Sequence, residues 1–242
     1  MNLDLLTRYG PRLLSGLGTT IEIVFISFAV GAVIALPLAL ARLSRNRVLA
    51  GLAFAYSTFF RGTPLLAQTF LVYYGAGQFR HALDAAGLWW LFRDAFFCVL
   101  LSFSLNTGAY QAEILRGAIA SVPRGQIEAA QALGMGRYTV LREIVLPQAF
   151  LLALRPYGNE IILVVKASAI ASVVTVFDLM GATRLAFARS FDLQVYLWAA
   201  VLYLVIVEGL RRLWDTLERR MMRHLRAGLP ASREATRPAG IR

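Results

Sequence analysis

Residues that enzymes commonly use for covalent and metal chemistry are scarce in this sequence. Cys98 is the only cysteine and lies in an apolar run, so neither an intrachain disulfide nor a thiolate metal site is available. The two histidines, His81 and His224, stand far apart and show no metal-ligand spacing. The only lysine, Lys166, is followed by Ala167, so the G-x-x-x-x-G-K-S/T loop that binds nucleotide phosphates is absent. We therefore expect no metal, no cofactor and no enzyme activity on this chain.

Charged residues are scarce as well. They make up 16% of the 242 residues, whereas hydrophobic residues make up 58% and the mean hydropathy is +0.60. This balance lies outside that of ordinary soluble domains and is typical of a membrane protein. The net charge of +11 would suit a nucleic-acid-binding protein, but the chain has no long polar face on which such charge could cluster. We expect a lipid bilayer, and not nucleic acid, as its partner.

Long apolar runs predict an all-α membrane protein with about five transmembrane helices. A helix needs about 20 mostly apolar residues to cross a hydrocarbon core of about 30 Å. Four runs meet this length readily, and a fifth completes the set. The predicted spans are residues 14–41, 48–74, 95–115, 150–174 and 195–213.

The arginines give these helices an orientation. Five spans place the two chain ends on opposite sides, and loops on the cytoplasmic side carry an excess of Lys and Arg. With the N-terminus outside, the inner segments contain seventeen arginines and the outer segments six. We therefore expect residues 1–226 to form a membrane domain with a cytoplasmic loop between helices 3 and 4. Residues 227–242, rich in Ala, Pro, Gly and Arg, are predicted to form a flexible cytoplasmic tail.

Three of the predicted spans carry polar residues at similar depth. Arg61 is central in the second span, Asn106 lies near the centre of the third, and Glu160 near the centre of the fourth. Gly62 and Pro64 also predict a break in helical hydrogen bonding beside Arg61. Transporters commonly bind their substrates at this depth. The predicted substrate pathway consists of Arg61, Thr63, Gln68, Asn106, Asn159 and Glu160.

The charges of Arg61 and Glu160 leave two interpretations open. They suit the carboxylate and the ammonium of an amino acid. Equally, they would pair with each other and only order the helix bundle. Glu113 and Arg116, one turn apart at the end of the third span, predict an i,i+3 ion pair that braces the following loop.

The segment EAAQALGMGRYTVLREIVLP, residues 128–147, interrupts the apolar pattern. EAAQAL favours a helix, and Gly134 can adopt the left-handed conformation that ends such a helix. Pro147 suits the first turn of the next membrane helix. The pattern predicts a short helix that is presented to the cytoplasm.

The same segment resembles the EAA loop of membrane permease subunits of ABC importers, the cytoplasmic loop that contacts the ATPase subunit. Four other stretches resemble the polar amino acid branch of that family, which has a type I importer fold and includes histidine, arginine and opine permeases. These stretches are FFRGTPLLAQ (59–68), GAYQAEILRGAI (108–119), RPYGNEIILVVK (155–166) and VVTVFDLMGATRLAF (173–187). The loop motif itself is carried by Glu128, Ala129, Ala130, Gly134, Ile144, Leu146 and Pro147.

The resemblance implies a function and a set of partners. A coupling loop at about 117–147 would dock its helix, through the seven motif residues, in a groove of a separate ATP-binding cassette subunit. A second permease subunit, identical or related, and a periplasmic amino-acid-binding protein would complete the importer in the bacterial inner membrane. The implied activity is ATP-driven uptake of polar amino acids, with a preference for basic or opine-like ones.

An alternative is a secondary transporter or channel for small polar solutes that needs no ATPase. Such a protein would leave the loop motif unexplained, and the chain shows no internal inverted repeat of the kind common in secondary transporters. Co-purification with an ATPase distinguishes the two functions.

Reporter fusions test the orientation that the arginines predict. Because cytoplasmic segments retain positive charge, a reporter fused after Arg220 is expected in the cytoplasm and one inserted near Asp84 in the periplasm. The N-terminus would then be periplasmic and the C-terminus cytoplasmic. Alkaline phosphatase activity and green fluorescence report the two compartments, and reversed labelling of the two positions would contradict the five-span arrangement.

Overall fold

The computed structural model describes residues 3–226, and side chains from residue 7 to residue 223. This part of the chain contains helices and no strand, which confirms the predicted all-α fold class. The tail predicted at 227–242 lies outside the described residues. The α-helices are α1 (Leu3–Arg42), α2 (Arg47–Gly62), α3 (Leu65–Gln78), α4 (Arg80–Ala85), α5 (Trp89–Phe92), α6 (Ala95–Ala120), α7 (Arg124–Ala132), α8 (Arg137–Val140), α9 (Leu146–Ala167), α10 (Leu179–Ser190) and α11 (Gln194–Arg226).

The structure divides one predicted span. Residues 48–74 form two helices, α2 and α3, of 16 and 14 residues, with Thr63 and Pro64 between them. Each is shorter than the about 20 residues that cross a bilayer alone. The described helical stretches that are long and apolar enough to cross a membrane are Thr7–Arg42, Arg137–Val174 and Gln194–Arg223. The arrangement with five spans stays a prediction.

Helices α1 and α6 make the most extensive contact in the bundle, and glycines let them approach closely. A Cβ added to Gly31 would lie 2.6 Å from Thr107 Cγ2 and 3.1 Å from the backbone N of Gly108. A Cβ added to Gly108 would lie 3.2 Å from Ile34 Cγ2. Close packing of this kind holds membrane helices together because lipid gives little hydrophobic drive for their association.

Two further close contacts attach α10 and α11 to this centre. Trp214 of α11 lies over Gly158 of α9, and its indole N–H donates to Leu154 O at 2.6 Å. Gly16 of α1 faces the residue that precedes α10, since an added Cβ would lie 2.7 Å from Asp178 O. These contacts join α11 to α9 and the start of α10 to α1.

The core between α1, α6 and α9 is apolar, and it positions the polar residues that follow. Phe103 of α6 packs with Ile161 and Val165 of α9 in the largest buried cluster. One turn further along α6, Asn106 and Thr107 take the place of apolar residues. The packing therefore directs Thr107 towards Glu160 of α9 and Asn106 towards Phe60 of α2.

Replacing Gly31 with alanine tests the contact between α1 and α6. The added methyl group would overpack the interface, and we expect a loss of stability of about 1–3 kcal/mol and a lower melting temperature of the purified protein. Gly18→Ala is the matched control, because Gly18 lies on the same helix and has no atom within 4 Å of the added position. Equal melting temperatures for the two variants would contradict the described packing.

Candidate functional site

A cavity of about 460 Å³ opens where the C-terminal end of α2 and the N-terminal end of α3 face α6 and α9. Apolar residues such as Phe103 and Leu163 form part of its wall. Its polar surface comes from three stretches of chain that are far apart in the sequence. The polar lining residues are Arg61, Thr63, Asn106, Thr107, Tyr110 and Glu160.

The break between α2 and α3 forms one side of the cavity. Pro64 has no N–H, so Phe60 O loses the donor that a continuous helix would supply. Two side-chain amides replace it, since Phe60 O accepts from Gln68 Nε2 at 2.9 Å and from Asn106 Nδ2 at 2.8 Å. Gln68 Nε2 also donates to Thr63 O at 3.1 Å. The amides therefore satisfy the backbone of the break and attach it to α6.

Arg61 does not form the ion pair with Glu160 that the sequence left open. Its described ionic contact is with Glu113, whose Oε2 lies 3.8 Å from Arg61 Nη1. The guanidinium carbon also lies 5.3 Å from the centroid of the Tyr110 ring. Tyr110 and Glu113 are one turn apart on α6, so the side chain of Arg61 follows the face of α6 and does not cross to α9.

Glu160 faces the cavity from α9 and is 6% exposed. Its Oε1 accepts from Thr107 Oγ1 at 3.0 Å, and Thr107 Oγ1 in turn accepts from Gln111 Nε2 at 3.2 Å. Among the side chains that the structure describes, no Arg or Lys nitrogen lies within 4.0 Å of this carboxylate. Because a charge at membrane depth needs a partner or a wet cavity, Glu160 is suited to receive a cation there.

The six residues of the predicted pathway do not all meet at the cavity. Asn159 is exposed and does not line it, because successive residues of a helix point about 100° apart and Glu160 takes the inward position. Gln68 is buried behind the wall and supports it. The sequence interpretation missed Thr107 and Tyr110. The position one turn after Asn106 on α6 was the signal that would have indicated Tyr110.

The predicted pair between Glu113 and Arg116 is present at 2.8 Å. Glu113 also binds Arg42, the last residue of α1, with 2.9 Å between Nε and Oε1. The carboxylate thus joins α1 to the end of α6, just before the loop that α6 leads into.

Gly134 ends α7 in the conformation that the sequence predicts. Its φ is 82°, and its N–H donates to Gln131 O at 3.0 Å. Met135 N donates to Ala130 O at 3.1 Å, which completes a Schellman motif. Ala130 and Met135 pack in the same apolar cluster, so the turn is fixed by side chains as well as by hydrogen bonds.

The loop buries one face and exposes the other. Ala130 is 4% exposed and packs with Ile144, whereas Glu128 and Ala129 are exposed. Leu133 is 83% exposed and Tyr138 74% exposed, although both are apolar enough to favour burial. The loop therefore presents a partly apolar surface without a partner among the described residues.

Pro147 lies in the first turn of α9, as the sequence predicts. Leu146 and Pro147 begin α9, but α8 and the π-helical turn Leu141–Val145 precede it without a break. Leu146 N donates to Leu141 O, five residues earlier, which is the spacing of a π-turn. The wider turn accommodates Pro147 inside a continuous helix, and the loop is joined rigidly to α9.

Comparison with known proteins agrees with this geometry. Residues 27–223 match the family described as binding-protein-dependent transport system inner membrane component. The chain is 42% identical over 228 residues to the nopaline transport system permease protein NocM of Agrobacterium fabrum (strain C58), covering 94% of this chain and 95% of NocM. It is 36% identical over 215 residues to the arginine ABC transporter permease protein ArtM of Escherichia coli (strain K12), covering 89% of this chain and 96% of ArtM.

Solved structures agree with this family. A crystal structure of an amino acid ABC transporter with histidines superposes with a TM-score of 0.79 and 31% identity, covering 91% of this chain and 99% of the other. An inward-facing structure of the MetNI methionine ABC transporter has a TM-score of 0.67 at 19% identity, which shows a shared fold. The chain therefore belongs to the family of inner membrane components of binding-protein-dependent transport systems.

Proposed function

We propose that this chain is the permease subunit of an ATP-driven importer that takes up polar amino acids, basic or opine-like, from a periplasmic binding protein. The observation that carries the proposal is the cavity in which Arg61 and Glu160 present opposite charges without pairing with each other. An amino acid carries a carboxylate and an ammonium, and the two side chains match these ends. The named nopaline and arginine permeases support the same substrate class.

The start of α3 adds to the carboxylate end of this site. Leu65 begins α3 and lines the cavity, and no side-chain hydrogen bond caps the helix there. The first N–H groups of a helix lack intrahelical acceptors and favour a negative charge. Arg61 and this helix start lie on the same side of the cavity. A substrate would therefore place its carboxylate near Arg61 and its ammonium near Glu160.

The exposed face of the loop is proposed to dock on a separate ATP-binding cassette subunit. Glu128 and Ala129 present small and polar groups, and Leu133 and Tyr138 present apolar ones that a partner would cover. The fixed turn at Gly134 and the continuous helix into α9 make the loop suited to transmit movement. ATP hydrolysis on the partner would then alternate access to the cavity.

The remaining partners and the location follow from the same proposal. A second permease subunit, identical or related, would complete the membrane domain, and a periplasmic amino-acid-binding protein would deliver the substrate. The chain would cross the inner membrane several times with its N-terminus in the periplasm. Neither the family nor the relatives named above support a secondary transporter or a channel.

Replacing Gly134 with valine tests the coupling role of the loop. A β-branched residue at φ 82° is strained by about 1–2 kcal/mol, which would unwind the turn and misalign α7. We expect uptake and co-purification of the ATPase to fall while the protein still inserts in the membrane. Gly136→Val is the control, because Gly136 has φ −65° and no atom within 4 Å of an added Cβ. Normal uptake and association in the Gly134→Val variant would exclude this loop from the mechanism.

Replacing Glu160 with glutamine tests the ammonium end of the site. The change keeps shape and hydrogen bonding to Thr107 but removes the charge, so we expect uptake of arginine to fall at least tenfold, equivalent to about 1.4 kcal/mol. Uptake of glutamine, which carries the same α-ammonium as arginine, should fall by a similar factor. Asn159→Ala, next to it but outside the cavity, should leave both rates close to those of the unchanged protein.

The double variant Arg61→Gln with Glu160→Gln separates substrate contact from a structural ion pair. Rates are normalised to the amount of permease in the membrane. Because the two side chains are not paired, the double variant should not regain uptake. Recovery of arginine uptake in the double variant would refute the proposed substrate contacts.

A further inference from the structure

One carboxylate, that of Glu113, contacts three guanidinium groups. Its oxygens lie 2.9 Å from Arg42 Nε, 2.8 Å from Arg116 Nε and 3.8 Å from Arg61 Nη1. The Glu113 side chain is 12% exposed. The three arginines come from α1, α6 and α2, and they share a single anion. This cluster of Glu113 and three arginines therefore has an excess of positive charge at the edge of the cavity.

The three contacts are unequal. Arg42 and Arg116 donate hydrogen bonds to Glu113, whereas the contact with Arg61 is longer than a hydrogen bond. The Arg61 side chain is 43% exposed, against 19% for Arg42. Arg61 is also the one arginine of this cluster that lines the cavity. Arg61 is thus the arginine that a second carboxylate, bound in the cavity, could reach and draw away from Glu113.

The energies allow such an exchange. A loose and partly exposed ion pair changes an equilibrium by only about two- to five-fold. A carboxylate that reaches the guanidinium from inside the cavity can accept two parallel hydrogen bonds, which is a stronger contact. Arg42 and Arg116 would continue to compensate Glu113 after Arg61 has left, so the exchange leaves no isolated buried charge.

We propose that Arg61 exchanges its ion pair with Glu113 for one with the substrate's carboxylate, so that Glu113 regulates substrate binding in the cavity. This inference rests on the proposed function, because it requires that Arg61 meets the substrate. Glu113 is a positioning residue in this scheme. It holds Arg61 along α6 while the cavity is empty, and keeps Arg61 from crossing to Glu160 and closing the site.

The exchange also links the cavity to the loop. Glu113 and Arg116 lie in the last turns of α6, which ends at Ala120, and α7 begins at Arg124. Departure of the Arg61 guanidinium would remove the ionic contact between the end of α2 and Glu113 of α6. Substrate binding would then change the contacts of the helix that leads into the loop.

The experiment measures direct binding to the purified membrane complex without its binding protein, by isothermal titration calorimetry. The probes are three acids, L-arginine, L-histidine and octopine, and one amide, argininamide, in which the carboxylate of arginine is replaced. The variants are Glu113→Gln, Arg42→Gln, Arg61→Gln, and Glu113→Gln combined with Arg61→Gln. Glu113→Asp keeps the negative charge beside Arg116, but its shorter side chain reaches less far towards Arg61. This variant tests the same contact if Glu113→Gln does not fold.

The exchange predicts opposite signs for two variants. Glu113→Gln removes the competitor, so the acids should bind about two- to five-fold more tightly, and argininamide should not change. Glu113→Asp should show part of this gain. Arg42→Gln leaves Glu113 freer to hold Arg61, so the acids should bind more weakly. In the Arg61→Gln background, Glu113→Gln should have no effect on the acids.

Other outcomes overturn the exchange. If Glu113 only braces α1 and α6, Glu113→Gln and Arg42→Gln break the same contact and should change binding in the same direction, for acids and amide alike. That result refutes the exchange but leaves the proposed function intact, provided that Arg61→Gln removes the preference for arginine over argininamide. If Arg61→Gln leaves that preference unchanged, or if no acid binds the unchanged complex, the proposed substrate site is refuted as well.

Discussion

A backbone carbonyl without its helical donor determines the architecture around the cavity. In a membrane, backbone polar groups must be satisfied within the protein, since lipid offers no hydrogen bonds. Pro64 deprives Phe60 O of its donor, and the amides of Gln68 and Asn106 replace it at 2.9 and 2.8 Å. One of these amides belongs to α3 and the other to α6. These two hydrogen bonds therefore fix α2 and α3 to α6 at the break, which follows the end of α2 one residue after Arg61.

The packing of α1 against α6 and the polar site share the same residue. The methyl group of Thr107 lies so close to Gly31 that it leaves no room for a side chain there, and the Thr107 hydroxyl donates to Glu160 at 3.0 Å. Gln111, one turn further, donates both to Thr107 Oγ1 and to Phe28 O of α1. A shift of α1 would therefore move the hydrogen-bond partner of Glu160. Stability and site geometry are coupled through one turn of α6.

Local signals in the sequence predicted much of this structure, and contacts between distant helices were the part they could not predict. Apolar runs indicated the helices, Gly134 indicated the end of α7, and Gly62 and Pro64 indicated the break between α2 and α3. Choosing Glu113 over Glu160 as the partner of Arg61 depends on how α2 is oriented against α6. No pattern within one segment contains that orientation. The inward position of Glu160 over Asn159 likewise depends on which face of α9 meets α6.

Two helices connect the cavity with the loop, and each does so without interruption. Helix α6 carries Asn106 and Thr107 at the cavity and continues to Ala120, while α9 carries Glu160 and joins α8 through the π-turn. The 26 residues of α6 extend over about 39 Å, because a helix rises about 1.5 Å per residue. A helix of this length transmits rotation and translation better than a loop would. The Schellman turn at Gly134 lies between α7 and α8, so α7 stands in the chain between the two helices that line the cavity.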